Sequence, residues 1–286
     1  MKQILFTFLS IFTIANSNAQ KPKENALLWK IEGKNSTQPS YLFGTFHMLC
    51  PTDFEMPDTL KSLLSKTNQL FLELDIDDPQ MNVKMMKHIN MKEGVKLKDL
   101  LSTTEYDTAI VLFKQITGMN LKMFESYKPF ILSSFLYPRI MACNTIAFEK
   151  ELSKLAKESN LETKGLETIE DQLSVFDNVP YKTQAKMFIK SLLEIEEGKI
   201  QMQKMVAMYK SKNINAMQKT VKGDADLGKH EKVLLHKRNK NWVPIMDKEI
   251  ATHSTFFAVG AGHLGGKKGV INLLRKSGYT VTPIFY

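Results

Sequence analysis

Arginine is almost missing from this chain. Arg139, Arg238 and Arg275 are three among 39 basic residues, so lysine carries nearly all of the +9 formal charge. Arginine is the side chain that reads phosphates and base edges through paired hydrogen bonds. The lysines are interleaved with Glu and Asp along stretches of helical character. That pattern argues against nucleic acid as a partner. It reads as solvated faces, with weak peripheral contact to an anionic surface as the alternative. Cysteine is equally scarce: Cys50 and Cys143 are the only two. Two are too few for a zinc cluster of closely spaced thiolates, and a single bridge and a pair of buried thiols stay equally open. Beyond the first 15 residues no apolar run is long enough to cross a bilayer, so no integral membrane segment is expected in the mature chain.

The usual catalytic strings are absent too. There is no Gly-x-Ser-x-Gly elbow and no His-Glu-x-x-His helix. A phosphate loop fails because Gly265 is followed by Gly266 rather than Lys. The Gly260-Ala261-Gly262 turn lies too near the C-terminus to open a dinucleotide-binding half. Cys50 lies three residues past His47, but an exported thiol is liable to oxidise, which weighs against a Cys-His enzyme.

The chain starts with a basic Met1-Lys2-Gln3, an apolar run over residues 4–15 and small residues at Ser17 and Ala19. This is the order of a secretory signal, with cleavage expected after Ala19. The remaining 20–286 is expected to be exported, to the periplasm or beyond, and is long enough for a substantial core.

The body is expected to be α/β, with α+β as the variant. Tyr41-Leu42-Phe43 is a short apolar strand that runs into Gly44. Residues 69–74 form another, with Glu73 inside it. At the other end, residues 255–259 form a β-branched and aromatic strand that runs into Gly260. Residues 269–277 are an amphipathic helix, and residues 279–286 a last strand. Pro283 confines that strand to an edge or keeps it short. The two ends, 41–75 and 255–286, therefore read as pseudo-repeated β-loop-α-β units around a central sheet. A predominantly helical block, about 80–220, is inserted between them. Residues 26–32 are expected to form an edge strand, and the helix over 230–250 to break near Pro244. The many methionines of the block read as core filler, with a methionine-lined groove as the alternative.

Chemistry concentrates in two Gly-x-x-His segments, Gly44-Thr45-Phe46-His47 and Gly260-Ala261-Gly262-His263. Each follows a strand, the level at which open α/β sheets place their sites. Glu73 is a carboxylate inside an apolar strand, costly unless paired or metal-bound. Glu167, in Gly165-Leu166-Glu167, is a candidate ligand or general base. Gln172 is placed to orient a carbonyl or water, and Arg238 to stabilise an oxyanion. His47, Glu73, His263 and Glu167 are the candidate ligands of a divalent ion, with Mn, Co, Zn and Fe all chemically suited. Such an ion would acidify bound water. His88, His230, His236 and His253 lack a comparable setting and read as surface or packing residues.

These residues resemble the TraB/PrgY/GumN family, which includes the metal-dependent Tiki proteases. The resemblance rests on Gly44-Thr45-Phe46-His47, on Glu73 in Phe71-Leu72-Glu73-Leu74, on Gly165-Leu166-Glu167 with Gln172, on Arg238-Asn239 with Trp242 beyond, and on Val259-Gly260-Ala261-Gly262-His263. It covers about residues 26–286, with Gly262 where alanine is common. It implies a metalloprotease-like hydrolase acting on a peptide or protein, with the two histidines and a glutamate at its centre. The alternatives are a non-catalytic peptide- or glycan-binding protein and a metal-independent His/Glu esterase-like hydrolase.

Overall fold

The computed structural model describes residues 24–34, 36–223 and 228–286. The expected signal segment lies outside the described residues. Six strands form one sheet: β1 (Leu28–Glu32), β2 (Ser40–Thr45), β3 (Gln69–Leu72), β4 (Glu162–Gly165), β5 (Thr255–Gly260) and β6 (Thr280–Ile284). Their order is β4-β3-β5-β2-β1-β6. The four strands from β4 to β2 run parallel, and β1 pairs antiparallel with both β2 and β6. The fold is thus mixed α/β, a central sheet with interspersed helices.

Burial explains the composition of the middle strands. Every residue of β2 is buried, and so is every residue of β5 up to Val259. A strand covered on both faces needs apolar side chains at successive positions rather than alternate ones. Polar residues at the strand starts are hydrogen-bonded: Gln69 Nε2 donates to Thr255 Oγ1 at 2.9 Å and to Glu249 of the neighbouring helix at 2.9 Å.

Three local expectations change. Residues 28–32 form an interior strand between β2 and β6, not an edge. Its burial fits that place, since Leu28, Trp29 and Ile31 are all buried. The stretch between 80 and 220 is predominantly helical but also carries β4, a short polar strand that joins the sheet edge beside β3. Pro244 does not end its helix, which runs over Arg238–Ile250. Pro244 and Lys240 are exposed there, so the carbonyl deprived of a donor can meet water. Pro283 lies in the terminal strand β6, where a missing N–H is tolerated.

The parallel register does most to build a site. Thr45 is opposite Gly260, so the loops after β2 and β5 leave the sheet side by side. Gly44 makes this possible. A Cβ there would lie 2.7 Å from Leu264 Cδ1 and 3.0 Å from the Ala261 Cβ. β3 and β4 end next door, with Leu72 opposite Gly165. His47, His263, Glu73 and Glu167 therefore all emerge at the carboxyl rim of adjacent strands.

Cys50 and Cys143 form a disulfide across 93 positions of sequence, which decides between the two readings left open. Beside it, Leu49 and Ile146 exchange two backbone hydrogen bonds of 3.0 and 2.7 Å. The loop after His47 is thereby fixed to the start of the Phe148–Glu158 helix. Closing so long a loop restricts the unfolded chain, and reduction should lower stability by about 2–4 kcal/mol. Urea unfolding with and without a dithiol reductant measures this; coincident midpoints would contradict it.

Candidate functional site

The sheet rim gathers the acceptors, and one helix supplies the cation that stands between them. Arg238 begins the Arg238–Ile250 helix, directly after a π-helical stretch, Lys232–Lys237. Its guanidinium lies between Glu73 and Glu167, with Nη2 at 2.5 Å from both carboxylates. Nε reaches the two oxygens of Glu167 at 3.1 Å each. Gln172 Nε2 bridges the same pair, 3.2 Å from Glu73 and 3.1 Å from Glu167. The Trp242 indole donates to Glu167 at 3.1 Å, and the Gly260 amide donates to Glu73 Oε1 at 2.8 Å. Both carboxylates are more than nine-tenths buried, and all four of their oxygens are in use.

His263 is tied into the same network. The Asn239 side-chain nitrogen donates to the carbonyls of Lys268 and His263, at 2.9 and 3.3 Å. That orientation leaves Asn239 Oδ1 as the acceptor for His263 Nδ1–H at 2.6 Å. The other ring nitrogen, Nε2, then carries the lone pair, and it accepts from Arg238 Nη1 at 3.1 Å. The imidazole is neutral. Burial pushes its pKa down to about 3, with the neighbouring guanidinium acting in the same direction against the pull of Glu73. Burial also disfavours the Glu73 carboxylate, but the Arg238 guanidinium, with His47 and the Gly260 amide, outweighs it and holds the group at about 2.

His47 behaves differently. Its side chain is 58% exposed, and Nδ1 pairs with Glu149 at 2.8 Å. Desolvation by the cleft walls opposes the charged ring. The Glu149 hydrogen bond and charge prevail, and with help from Glu73 they raise the pKa to about 9. Two carboxylates around one guanidinium leave a net negative charge, so a protonated His47 beside them is electrostatically consistent.

The structure brings together all six residues singled out from sequence. A Cβ on Gly260 would lie 3.2 Å from Glu73 Oε1, 3.6 Å from His47 Nε2 and 3.7 Å from His263 Cδ2. The roles expected of them are corrected. Among the described residues, no group of three or more His, Cys, Asp or Glu side chains could hold a metal ion. The physical reason is Arg238. Its guanidinium stands where a divalent cation would have to balance Glu73 and Glu167, and it takes the His263 lone pair that a metal would need. The residues do not fit the expected Mn, Co, Zn or Fe ion. The metal-dependent hydrolase and metalloprotease readings, and the metal-binding roles of His47, Glu73, His263 and Glu167, fall with it. Gln172 and Arg238 hydrogen-bond the Glu73 and Glu167 carboxylates.

Sequence reasoning missed Glu149, and named Asn239 only as part of the family motif, without a role. Glu149 lies near the start of a charged helix and looks like any solvated glutamate. Nothing local reveals that the disulfide and the Leu49–Ile146 pair bring it to His47. The wall of methionines was visible only as an alternative. Met202, Met205 and Met208 from the Ile195–Lys210 helix, with Met217 and Leu234, line a cleft of about 550 Å³ whose floor holds His47, Arg238 and His263.

Replacing Arg238 by Met should lower stability by about 3–5 kcal/mol, because two buried carboxylates lose their cation. A pH series adds a signature. Glu73 stabilises the fold above its ordinary 4.5 and ceases to as pH falls through about 2. His263 resists the proton that the unfolded chain accepts below 6.5, so stability declines from pH 6.5 toward 3. His47 contributes fully below 6.5 and loses its contribution as pH rises through about 9. Stability should peak near pH 6.5, and His47→Gln should flatten the alkaline decline between 6.5 and 9. An unaltered alkaline limb in that variant would refute the His47 assignment.

The chain is similar to known proteins along most of its length. Metalloprotease TIKI2 of Danio rerio is 22% identical over 313 residues, covering 90% of this chain and 60% of the relative. Metalloprotease TIKI2 of Xenopus tropicalis is 23% identical over 313 residues, covering 90% and 59%. Metalloprotease TIKI1 of Homo sapiens is 21% identical over 318 residues, covering 92% and 62%. The chain thus spans about three-fifths of the length of these relatives. No solved structure matches it. With the TraB/PrgY/gumN family matching residues 27–283, the chain belongs to that family.

Proposed function

We propose that this protein binds peptides in the methionine-lined cleft without cleaving them. The observation that carries the reading is the contrast within the cleft. Its floor holds the network of Arg238, Glu73, Glu167 and His263, whose polar groups are already engaged, and its wall is flexible, polarisable and apolar. Methionines adapt to varied apolar side chains, which suits a peptide better than a glycan. The two strand-end histidines, one from each half of the proposed β-loop-α-β repeat, shape the floor rather than exchange protons. His47 is held protonated at neutral pH and is no general base there; His263 has both ring nitrogens engaged. These points also weigh against the metal-independent hydrolase.

Export remains part of the proposal, on the strength of residues 1–19. The Cys50–Cys143 bridge is a form that an oxidising compartment permits. Among the described residues no helix is long and apolar enough to cross a membrane.

Fluorescence anisotropy with labelled peptides rich in Leu, Met and Phe, and with soluble oligosaccharides, tests the reading. Peptides should bind and be recovered intact by mass spectrometry. Met205→Asp should weaken them by about tenfold or more, since a buried apolar contact of this size is worth about 1.5–3 kcal/mol. Cleaved peptide, or binding of oligosaccharides alone, would contradict it.

A further inference from the structure

The methionine cleft has a neighbour. A second chamber, of about 730 Å³, lies against the Phe148–Glu158 helix. His47, Glu73 and Gln172 line both chambers, so the two adjoin at the exposed imidazole of His47. Their chemistry differs. The floor of the second chamber is apolar, from Leu72, Leu74 and Ile76, while its rim carries charge.

Most of that charge is already paired. Asp77 accepts from Lys157 at 2.7 Å and from Ser153. Glu149 is held by His47 and Glu73 by Arg238. Three exposed rim groups remain, Lys150, Lys154 and Glu158. The two lysines stand one helical turn apart, on one face of their helix. Lys150 directly follows Glu149, the partner of His47, whereas Glu158 closes the far end of the helix. His47 thus stands where the chambers meet, and Lys150 and Lys154 line the second chamber alone.

We propose that the ligand is a peptide with an acidic end: its apolar residues fill the methionine chamber, and an Asp, Glu or terminal carboxylate crosses the His47 ridge to pair with Lys150 and Lys154. This rests on the peptide-binding reading and adds polarity and direction to it. A carboxylate placed there gains charge-assisted hydrogen bonds without competing for the ion network below. The lysines steer it to the rim and the methionines retain it.

The test uses the full chain and twin labelled peptides with amidated C-termini. Each carries a Leu-Met-Leu block, a short glycine spacer of varied length, and either an Asp-Asp or an Asn-Asn end. At low salt the Asp twin should bind about tenfold more tightly at the best spacer length. Added sodium chloride should shrink that ratio, because exposed charges are screened. The Lys150→Glu/Lys154→Glu variant, checked for folding by circular dichroism, should bring the ratio to one or below. Twins that bind equally, or a ratio indifferent to both salt and the double variant, would overturn the acidic-end inference and leave peptide binding standing. Failure of both twins, together with the apolar panel, would instead overturn the peptide reading and this inference with it.

Discussion

One guanidinium organises the sheet rim. The parallel register delivers Glu73 and Glu167 into the same buried space, and two carboxylates cannot remain charged there without a cation. Arg238 is that cation. It fixes both carboxylates, accepts Gln172 and Trp242 as co-donors around them, and orders His263 through its lone pair. The π-helical stretch just before Arg238 is a local widening of the helix, a feature that recurs where a side chain must be re-aimed. Arg238 also takes the Leu234 carbonyl of that stretch, at 3.3 Å. Family membership and remote similarity to metalloproteases therefore coexist, among the described residues, with a rim in which no three His, Cys, Asp or Glu side chains are grouped to hold a metal ion.

The second consequence is division of labour across the cleft. Below, His263 is buried, neutral and immobilised. Above, His47 is exposed, charged and paired with a carboxylate from a helix whose start is tied to the loop after His47 by the disulfide and a pair of backbone hydrogen bonds. Two histidines in near-identical sequence settings thus acquire pKa values on opposite sides of neutrality. Burial decides one and a salt link decides the other.

Much of this was legible in the residues. Apolar strands ending in glycine located the rim, and the cost of an apolar-strand carboxylate pointed to Glu73. The order of motifs identified the family. What sequence could not supply was the partner of each group. A carboxylate beside two histidines reads as a metal set when Arg238, 165 positions away from Glu73, is free to be anywhere. Glu149 was hidden because helix periodicity places it among solvated charges. β4 was missed because Glu162-Thr163-Lys164 has no apolar signature, and its strand character comes from pairing with β3. The interior place of β1 depended on β6 returning to cover it, a contact made across the whole chain.

The central claim is that Arg238 fills the cation position of the site. The most direct measurement is the metal content of the folded protein after incubation with excess Mn, Co, Zn or Fe(II) and exhaustive dialysis, read by plasma mass spectrometry. The account predicts no stoichiometric metal at this site, and no difference between the wild type and a His263→Ala variant. One equivalent of metal in the wild type, lost in that variant, would contradict it.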